Sequence, residues 1–413
     1  MKILMLASYI YEPGCPEFER NSTGFGMMVR DILDYVGQKE EVLFSSKVIT
    51  RGRELKNYKI LKHTFSDIFK SARFCDCINA VKSFFYGKYG FKDRLRNAFY
   101  SFDGGYARKL IKSVRPDIVH IHGIGTVTQS YIDSCLKLKV PFVVTLHGLI
   151  GLDSSVSAPA STKRLEKEFL IKASKLNIPV TVISSGMKKR IEENYLLKPA
   201  DNITVVLNGT KPQNSECEFN DILKNLGIEN KKICLAIGNI CKRKNQIEIV
   251  KAWDMLPKEI RESAAVLMCG NDLSAGKMKE EIAKAGAQKQ IFILGFVEKA
   301  KIEFLLDNAW LNIMASIDEG FGLSVIEAFS HGVPTVTFPD LDAVPDLFSE
   351  DSMLLAKSRS TESLAKAIGE ALNKDWKREE IKSHSQKFSL ENMAENYISD
   401  YKKISRGGVH FVS

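Results

Sequence analysis

Long apolar runs are missing from this sequence. No stretch approaches the roughly eighteen consecutive apolar residues that a membrane-spanning helix needs, so an integral membrane protein is not expected. Residues 1–14, MKILMLASYIYEPG, hold one Lys and a short apolar run but no small-residue cleavage site. They read as a buried first strand rather than an export signal, and a cytosolic protein is expected. Paired cysteines are missing too. The eight present (Cys15, Cys75, Cys77, Cys135, Cys217, Cys234, Cys241 and Cys269) are scattered without a CxxC pair. That argues against a disulfide scaffold and for free thiols, most of them buried. No His, Cys or Glu cluster has metal-ligand spacing, so no metal is expected. No internal repeat is visible, and no nucleic-acid-binding motif supports such a partner.

What is present is an ordinary globular composition, 44% apolar and 26% charged over 413 residues, which suits two or three domains. Charge is unevenly placed. Residues 1–210 carry 32 Lys and Arg against 20 Asp and Glu, whereas the remainder carries 27 against 30. All the positive excess lies in the first half, as a solvated face or as a surface for an anionic partner.

Short apolar runs alternate with helical patterns. Strands are predicted at 2–10, 41–49, 117–123, 142–148, 180–185 and 203–209, then at 233–240, 264–270, 291–296, 311–316, 334–338 and 353–356. Helices are predicted at 24–37, 160–177, 186–195, 246–256, 276–285, 300–309, 322–331, 361–374 and 389–405. Strands apolar on both faces and separated by helices imply α/β domains with doubly wound parallel sheets. Two such series imply two Rossmann-like domains, 1–209 and 210–388, followed by a helix and tail, 389–413, expected to pack back on the first domain. The polar segment 211–221 marks the boundary, and the long basic and aromatic stretch 50–110 interrupts the alternation. Ligands of open α/β sheets bind beyond the carboxyl ends of the strands, so a cleft between the two domains is the expected site.

The densest motif is SIDEGFGLSVIEAFSHGVPTV, residues 316–336. Gly320 and Gly322 permit close backbone approach, and the N–H groups of Phe321, Gly322, Leu323 and Ser324 would open a helix as a phosphate cradle. Glu319 and Glu327 bracket that end and suit pairs of hydroxyls, since a carboxylate only accepts hydrogen bonds. Alone, such a pair would read as a helix-dipole charge and an exposed helix residue.

It does not stand alone. This motif resembles the donor-site signature of retaining GT-B glycosyltransferases, the large family that includes bacterial mannosyltransferases, sucrose synthase and glycogen synthase. GNICKRKNQ (238–246) is similar to the family's diphosphate loop, ILGFV (293–297) to the turn that meets the nucleotide base, and STGFG (22–26), DIVHIHG and VTLHG fall where the family has its acceptor-side motifs. The resemblance implies a GT-B fold with an acceptor-side first domain and a donor-binding second one. It implies that Lys244 sits on the diphosphate, Glu327 on the ribose, Glu319 and His147 on the sugar, Phe296 and Val297 near the base, and Gly24 and Gly26 in a turn approaching donor or acceptor. His122 is a weaker candidate. His120 is assigned to the other face of its strand and to a structural role. The family's Arg beside the diphosphate corresponds to Asn239, which brings no charge; Arg243 is a substitute, although adjacent residues tend to point apart. Asp340 and Asp342 resemble a metal-binding DxD but read as loop residues, so no cofactor is expected beyond a nucleoside diphosphate sugar serving as substrate.

The expected activity is therefore a metal-independent hexosyltransferase acting with retention on a glycan or lipid-linked glycan acceptor in surface-polysaccharide synthesis. A sugar-nucleotide epimerase and a catalytically inactive binding subunit remain alternatives. Residues 82–96, KSFFYGKYGFKDRLR, interleave Lys82, Lys88, Lys92, Arg94 and Arg96 with five aromatics. They suit either a packed helix with a charged outer face or a peripheral contact with anionic lipid.

Overall fold

The computed structural model describes residues 1–19, 23–71, 74–85, 90–91, 94–95, 98, 103–155, 158–212 and 220–406. The chain divides into two compact units, Met1–Asn208 with Leu390–Ser413, and Gly209–Ser389.

The first unit is built on strands β1 (Lys2–Ala7), β2 (Glu41–Ser46), β3 (Arg53–Glu54), β4 (Lys59–Ile60), β5 (Ile118–His122), β6 (Phe142–Leu146), β7 (Val180–Val182) and β8 (Ile203–Val205). Their order is β3-β4-β2-β1-β5-β6-β7-β8, parallel throughout except between β3 and β4. Leu4 of β1 stands opposite Leu43 on one side and Val119 on the other. The apolar runs of β1, β5 and β6 are buried almost completely, as strands covered by helices on both faces must be. Helix Gly24–Gly37 covers part of one face through Met28, Val29, Ile32, Leu33 and Val36, the three-and-four spacing of an amphipathic helix. Thr23 caps it, its Oγ1 accepting from the Gly26 N–H at 3.1 Å. Gly24 and Gly26 therefore lie inside the first helical turn, not in the loop before it.

The last helix, Leu390–Arg406, belongs to this unit. It buries Met393, Ala394, Tyr397, Ile398 and Tyr401 against helix Gly24–Gly37 and strands β5 and β6. Each of the larger side chains contributes about 1.5–3 kcal/mol of apolar burial. Lys39 and Glu395 pair at 2.7 Å on its exposed edge.

The second unit carries β9 (Lys232–Ile237), β10 (Ala264–Cys269), β11 (Ile291–Gly295), β12 (Ala309–Met314), β13 (Thr335–Thr337) and β14 (Met353–Leu355). The order β11-β10-β9-β12-β13-β14 is parallel throughout. Strand order reverses between β9 and β12, and the loops leaving these two strands flank the crevice where ligands of such sheets bind. Trp253, Val266, Leu311 and Ile368 lie in the core on one face of the sheet, and Leu267, Leu305 and Ala328 on the other.

All twelve predicted strands are present, each ending sooner than expected. The run 203–209 is a strand only as far as Val205, because its carboxyl-terminal residues turn into the loop. The stretch 50–110 holds β3, β4 and helices Phe65–Ser71, Phe74–Phe85 and Asp103–Val114. Six cysteines of the described residues (Cys15, Cys77, Cys135, Cys234, Cys241 and Cys269) are free thiols. Among the described residues no helix is long and apolar enough to cross a membrane.

Candidate functional site

In the second unit, the loops after β9 and β12 meet through charge. Lys244 Nζ forms an ion pair with Glu319, and Arg243 Nη1 lies 3.6 Å from the other oxygen of the same carboxylate. The Ile317 N–H donates to the Arg243 carbonyl at 2.8 Å, which ties the two loops together. Adjacent residues do not point apart here, and both cations reach one acid. Glu319 is 12% exposed. Burial by itself would raise its pKa, but the Lys244 and Arg243 charges and the Lys244 hydrogen bond outweigh burial and hold the carboxyl below its usual range.

Local chemistry shapes the first of these loops. Gln246 donates to the carbonyls of Gly238 (3.2 Å) and Asn239 (3.1 Å) and accepts from the Cys241 N–H (3.3 Å). Gly238 has φ +127°, and a Cβ there would stand 3.3 Å from Lys244 Cε, so glycine gives the lysine stem room to cross the strand end. Across from it, a Cβ on Gly270 would lie 2.3 Å from the Gly238 carbonyl oxygen, closer than the backbones allow. Asn239 Oδ1 accepts from the Asn271 N–H at 3.0 Å, so this side chain is engaged with the neighbouring loop.

The second loop enters helix Leu323–Ser330 through Gly322, in the left-handed region at φ +87° with no side-chain cap. Its first N–H groups are thus left for an external acceptor. Phe321 is buried, with its ring edge-on to Phe388 at 6.3 Å. Ser324 is buried, whereas Gly320, Leu323 and Glu327 are half-buried. Sequence reasoning missed Arg359. Its guanidinium donates to the carbonyls of Ser316 (2.9 Å) and Ile317 (3.2 Å), pairs with Asp340 (2.6 Å) and lies over the Phe338 ring. It fixes the loop ahead of Glu319 from forty residues downstream, and no motif marks it. Asp342 is buried. Among the described residues no group of three or more His, Cys, Asp or Glu stands together as a metal site. Phe296 is exposed after Gly295 (φ +70°), while Val297 packs against the core.

The first unit presents uncharged groups instead. His122 Nδ1 lies 3.0 Å from His147 Nε2, and the Phe25 ring meets His147 edge-on at 5.1 Å. His120 does not face the opposite side. Residues two apart on a strand share a face, and its ring lies 3.9 Å from that of His122. His120 bonds Thr145 Oγ1 at 2.7 Å and the Tyr401 hydroxyl at 2.6 Å. Burial lowers all three imidazoles, His147 to about 4, so the cluster is neutral at physiological pH.

Of the basic and aromatic segment, Lys82 is exposed and Arg94 half-buried, while Lys88, Lys92 and Arg96 lie outside the described residues. Phe84 makes edge contacts with Phe85 and Phe91, which are themselves 67% and 68% exposed.

Residues 218–388 match the family described as glycosyl transferases group 1, and residues 66–214 match glycosyltransferase family 4. The chain is 30% identical to the poly(glycerol-phosphate) alpha-glucosyltransferase of Bacillus subtilis over 40% of its own length and 24% of that protein's. It is 25% identical to the 2-deoxystreptamine N-acetyl-D-glucosaminyltransferase of Niallia circulans over 69% of its length and 76% of that protein's. An Anabaena protein crystallised with UDP and glucose shares the fold, with a TM-score of 0.65 at 15% identity over 98% of this chain and 100% of that one.

Proposed function

Because the chain belongs to the group 1 glycosyltransferases and has their GT-B fold, we propose that it moves a hexose-type sugar from a nucleoside diphosphate donor to a glycan or lipid-linked glycan. The observation that carries this reading is the convergence of Lys244 and Arg243 on Glu319, beside the uncapped helix start at Gly322. Two cations and a row of free N–H groups match the charge of a diphosphate. A bound diphosphate competes with Glu319 for the cations, and the freed carboxylate can accept from sugar hydroxyls. Glu327, one turn into the helix, is assigned to the ribose and the exposed Phe296 to the base. Arg243 supplies the charge that Asn239 lacks.

The reaction proposed is a same-face displacement. The acceptor hydroxyl attacks the anomeric carbon, the bond to the diphosphate oxygen breaks, and the departing phosphate takes the hydroxyl proton. The anomeric configuration is retained, and Lys244 and Arg243 meet the charge that develops on the leaving group. Since those cations serve the diphosphate, activity should survive EDTA. Complete loss restored by magnesium or manganese contradicts this part of the proposal.

On the acceptor side, Lys82, Phe85 and Phe91 are all exposed, as suits a surface that dips rings among lipid headgroups. We assign this segment to reversible contact with the cytosolic face of a membrane, where a surface-polysaccharide acceptor would wait. Each cation near an anionic surface contributes about 1 kcal/mol. Sedimentation with anionic liposomes should be lost in high salt and on replacing Lys82, Lys88, Lys92, Arg94 and Arg96 by Gln; no sedimentation of the wild type at low salt contradicts the assignment. The donor itself is tested by a thermal-shift panel of UDP, GDP, dTDP and ADP sugars, in which one base should raise the melting temperature. A flat panel contradicts the reading.

A further inference from the structure

Two neutral imidazoles at hydrogen-bonding distance share one proton between them. A neutral ring carries hydrogen on one nitrogen and a lone pair on the other, so His122 and His147 fix each other's forms. In the first arrangement His147 donates from Nε2, and the hydrogen of His122 must then sit on its own Nε2. That atom is buried and has no hydrogen-bonding partner among the described residues. His120 cannot supply one, because its two nitrogens are engaged by Thr145 and Tyr401. The first arrangement thus leaves an orphaned N–H in the interior. In the second, His122 donates from Nδ1, its buried Nε2 is only an unused lone pair, and the hydrogen of His147 moves to Nδ1. Orphaned buried N–H groups are rarer than under-used acceptors, which favours the second arrangement. His147 is half-buried, and its Nδ1 is not among the buried atoms left without a partner.

We propose that His122 is a positioning residue that holds His147 in its Nδ1–H form, so that His147 meets the substrate as a hydrogen-bond donor to a sugar oxygen. The proton placement stands on the first unit alone; the identity of the acceptor rests on the glycosyl-transfer reading. The arrangement resembles the way a partner on one ring nitrogen commonly decides what the other can do.

The test uses the full-length protein labelled with 15N-histidine. Long-range 1H–15N correlation near neutral pH, without substrate, should show His147 protonated at Nδ1 and bare at Nε2. His122→Phe should return His147 to the Nε2–H form that free histidine side chains prefer. His122→Gln, whose amide N–H can make the same donation, should keep the Nδ1–H form. A wild-type His147 protonated at Nε2 overturns the proposal even if no variant folds, and so does a folded His122→Phe protein that keeps Nδ1–H. In sugar transfer, His122→Phe should lower kcat/KM by about two- to tenfold, no more than the worth of the one hydrogen bond it positions, and His122→Gln less. The expected proton placement in a protein that transfers no sugar from any donor overturns the glycosyl-transfer reading and the sugar-oxygen partner, but not the role of His122.

Discussion

The two units put opposite electrostatics at the ends of similar parallel sheets. The second gathers Lys244, Arg243 and Glu319 into a charged cluster whose acid is mostly buried. The first gathers His120, His122 and His147 into a cluster that burial keeps neutral. A buried charge is tolerated only with a partner, so the second cluster is self-paired until something better charged arrives. The neutral cluster needs no such exchange and works by the direction of its hydrogen bonds. One surface is suited to an anion that must be held as it departs, the other to an uncharged, hydroxyl-rich group.

Removing a charge should therefore cost more than removing a ring. Lys244→Ala should lower kcat/KM for the donor by roughly ten- to 150-fold, the 1.5–3 kcal/mol of a charge-assisted contact, and Glu327→Ala should fall in the same range. Near-wild-type steady-state kinetics in both would remove the charged cluster from the donor site. His147→Ala, which deletes one neutral hydrogen bond, should cost only about two- to tenfold. Salt sharpens the contrast, since added electrolyte should weaken donor binding through the charged cluster and leave the His147 effect unchanged.

Stability against pH separates the clusters as well. Unfolded histidines take up protons below about 6.5, whereas folded His147 resists down to about 4. Stability from the neutral cluster is therefore complete above 6.5 and lost as pH falls through that window. The depressed pKa of Glu319 places its own loss lower, below 4.5. His331 behaves oppositely. Burial would lower its pKa, but hydrogen bonds to Glu303 (2.5 Å) and Asp307 (2.7 Å) raise it above 6.5. Its stabilisation is present below 6.5 and lost as pH rises through the raised value. Denaturation midpoints measured from pH 4 to 9 should thus fall at both ends, with His331→Gln flattening only the alkaline limb. An unchanged alkaline limb in that variant would contradict the assignment.

The smallest effect is expected at Asn239. Its Oδ1 accepts from the Asn271 N–H, and arginine has no acceptor to replace it. Asn239→Arg should lose about 1 kcal/mol of stability in urea titration, while Asn239→Asp, which keeps an acceptor, should lose less. Equal losses in the two would show that the bond is immaterial.

Much of the fold was legible because buried parallel strands are nearly continuous apolar runs, as in KICLAI and AAVLMC. Strands of two residues such as Arg53–Glu54 and Lys59–Ile60 carry no periodicity to read. Helix Asp103–Val114 was hidden inside a basic stretch that breaks the alternation. In the candidate site, Glu319 and Lys244 were legible as motif residues, but their pairing across 75 positions was not. Arg359 was illegible because its hold on the loop ahead of Glu319 runs through the backbone carbonyls of Ser316 and Ile317, which leave no mark on side-chain pattern. The ties from His120 to Thr145 and to Tyr401, 281 positions away, depend on how the strands and the last helix pack.

Calorimetric titration of the nucleoside diphosphate chosen by the thermal-shift panel, into wild type, Lys244→Ala and His147→Ala, tests the central claim most directly. The account predicts binding to the wild type, a loss of roughly ten- to 150-fold in Lys244→Ala, and little change in His147→Ala, because the diphosphate answers to charge and the histidine to the sugar. Equal affinity of wild type and Lys244→Ala for the diphosphate would contradict it.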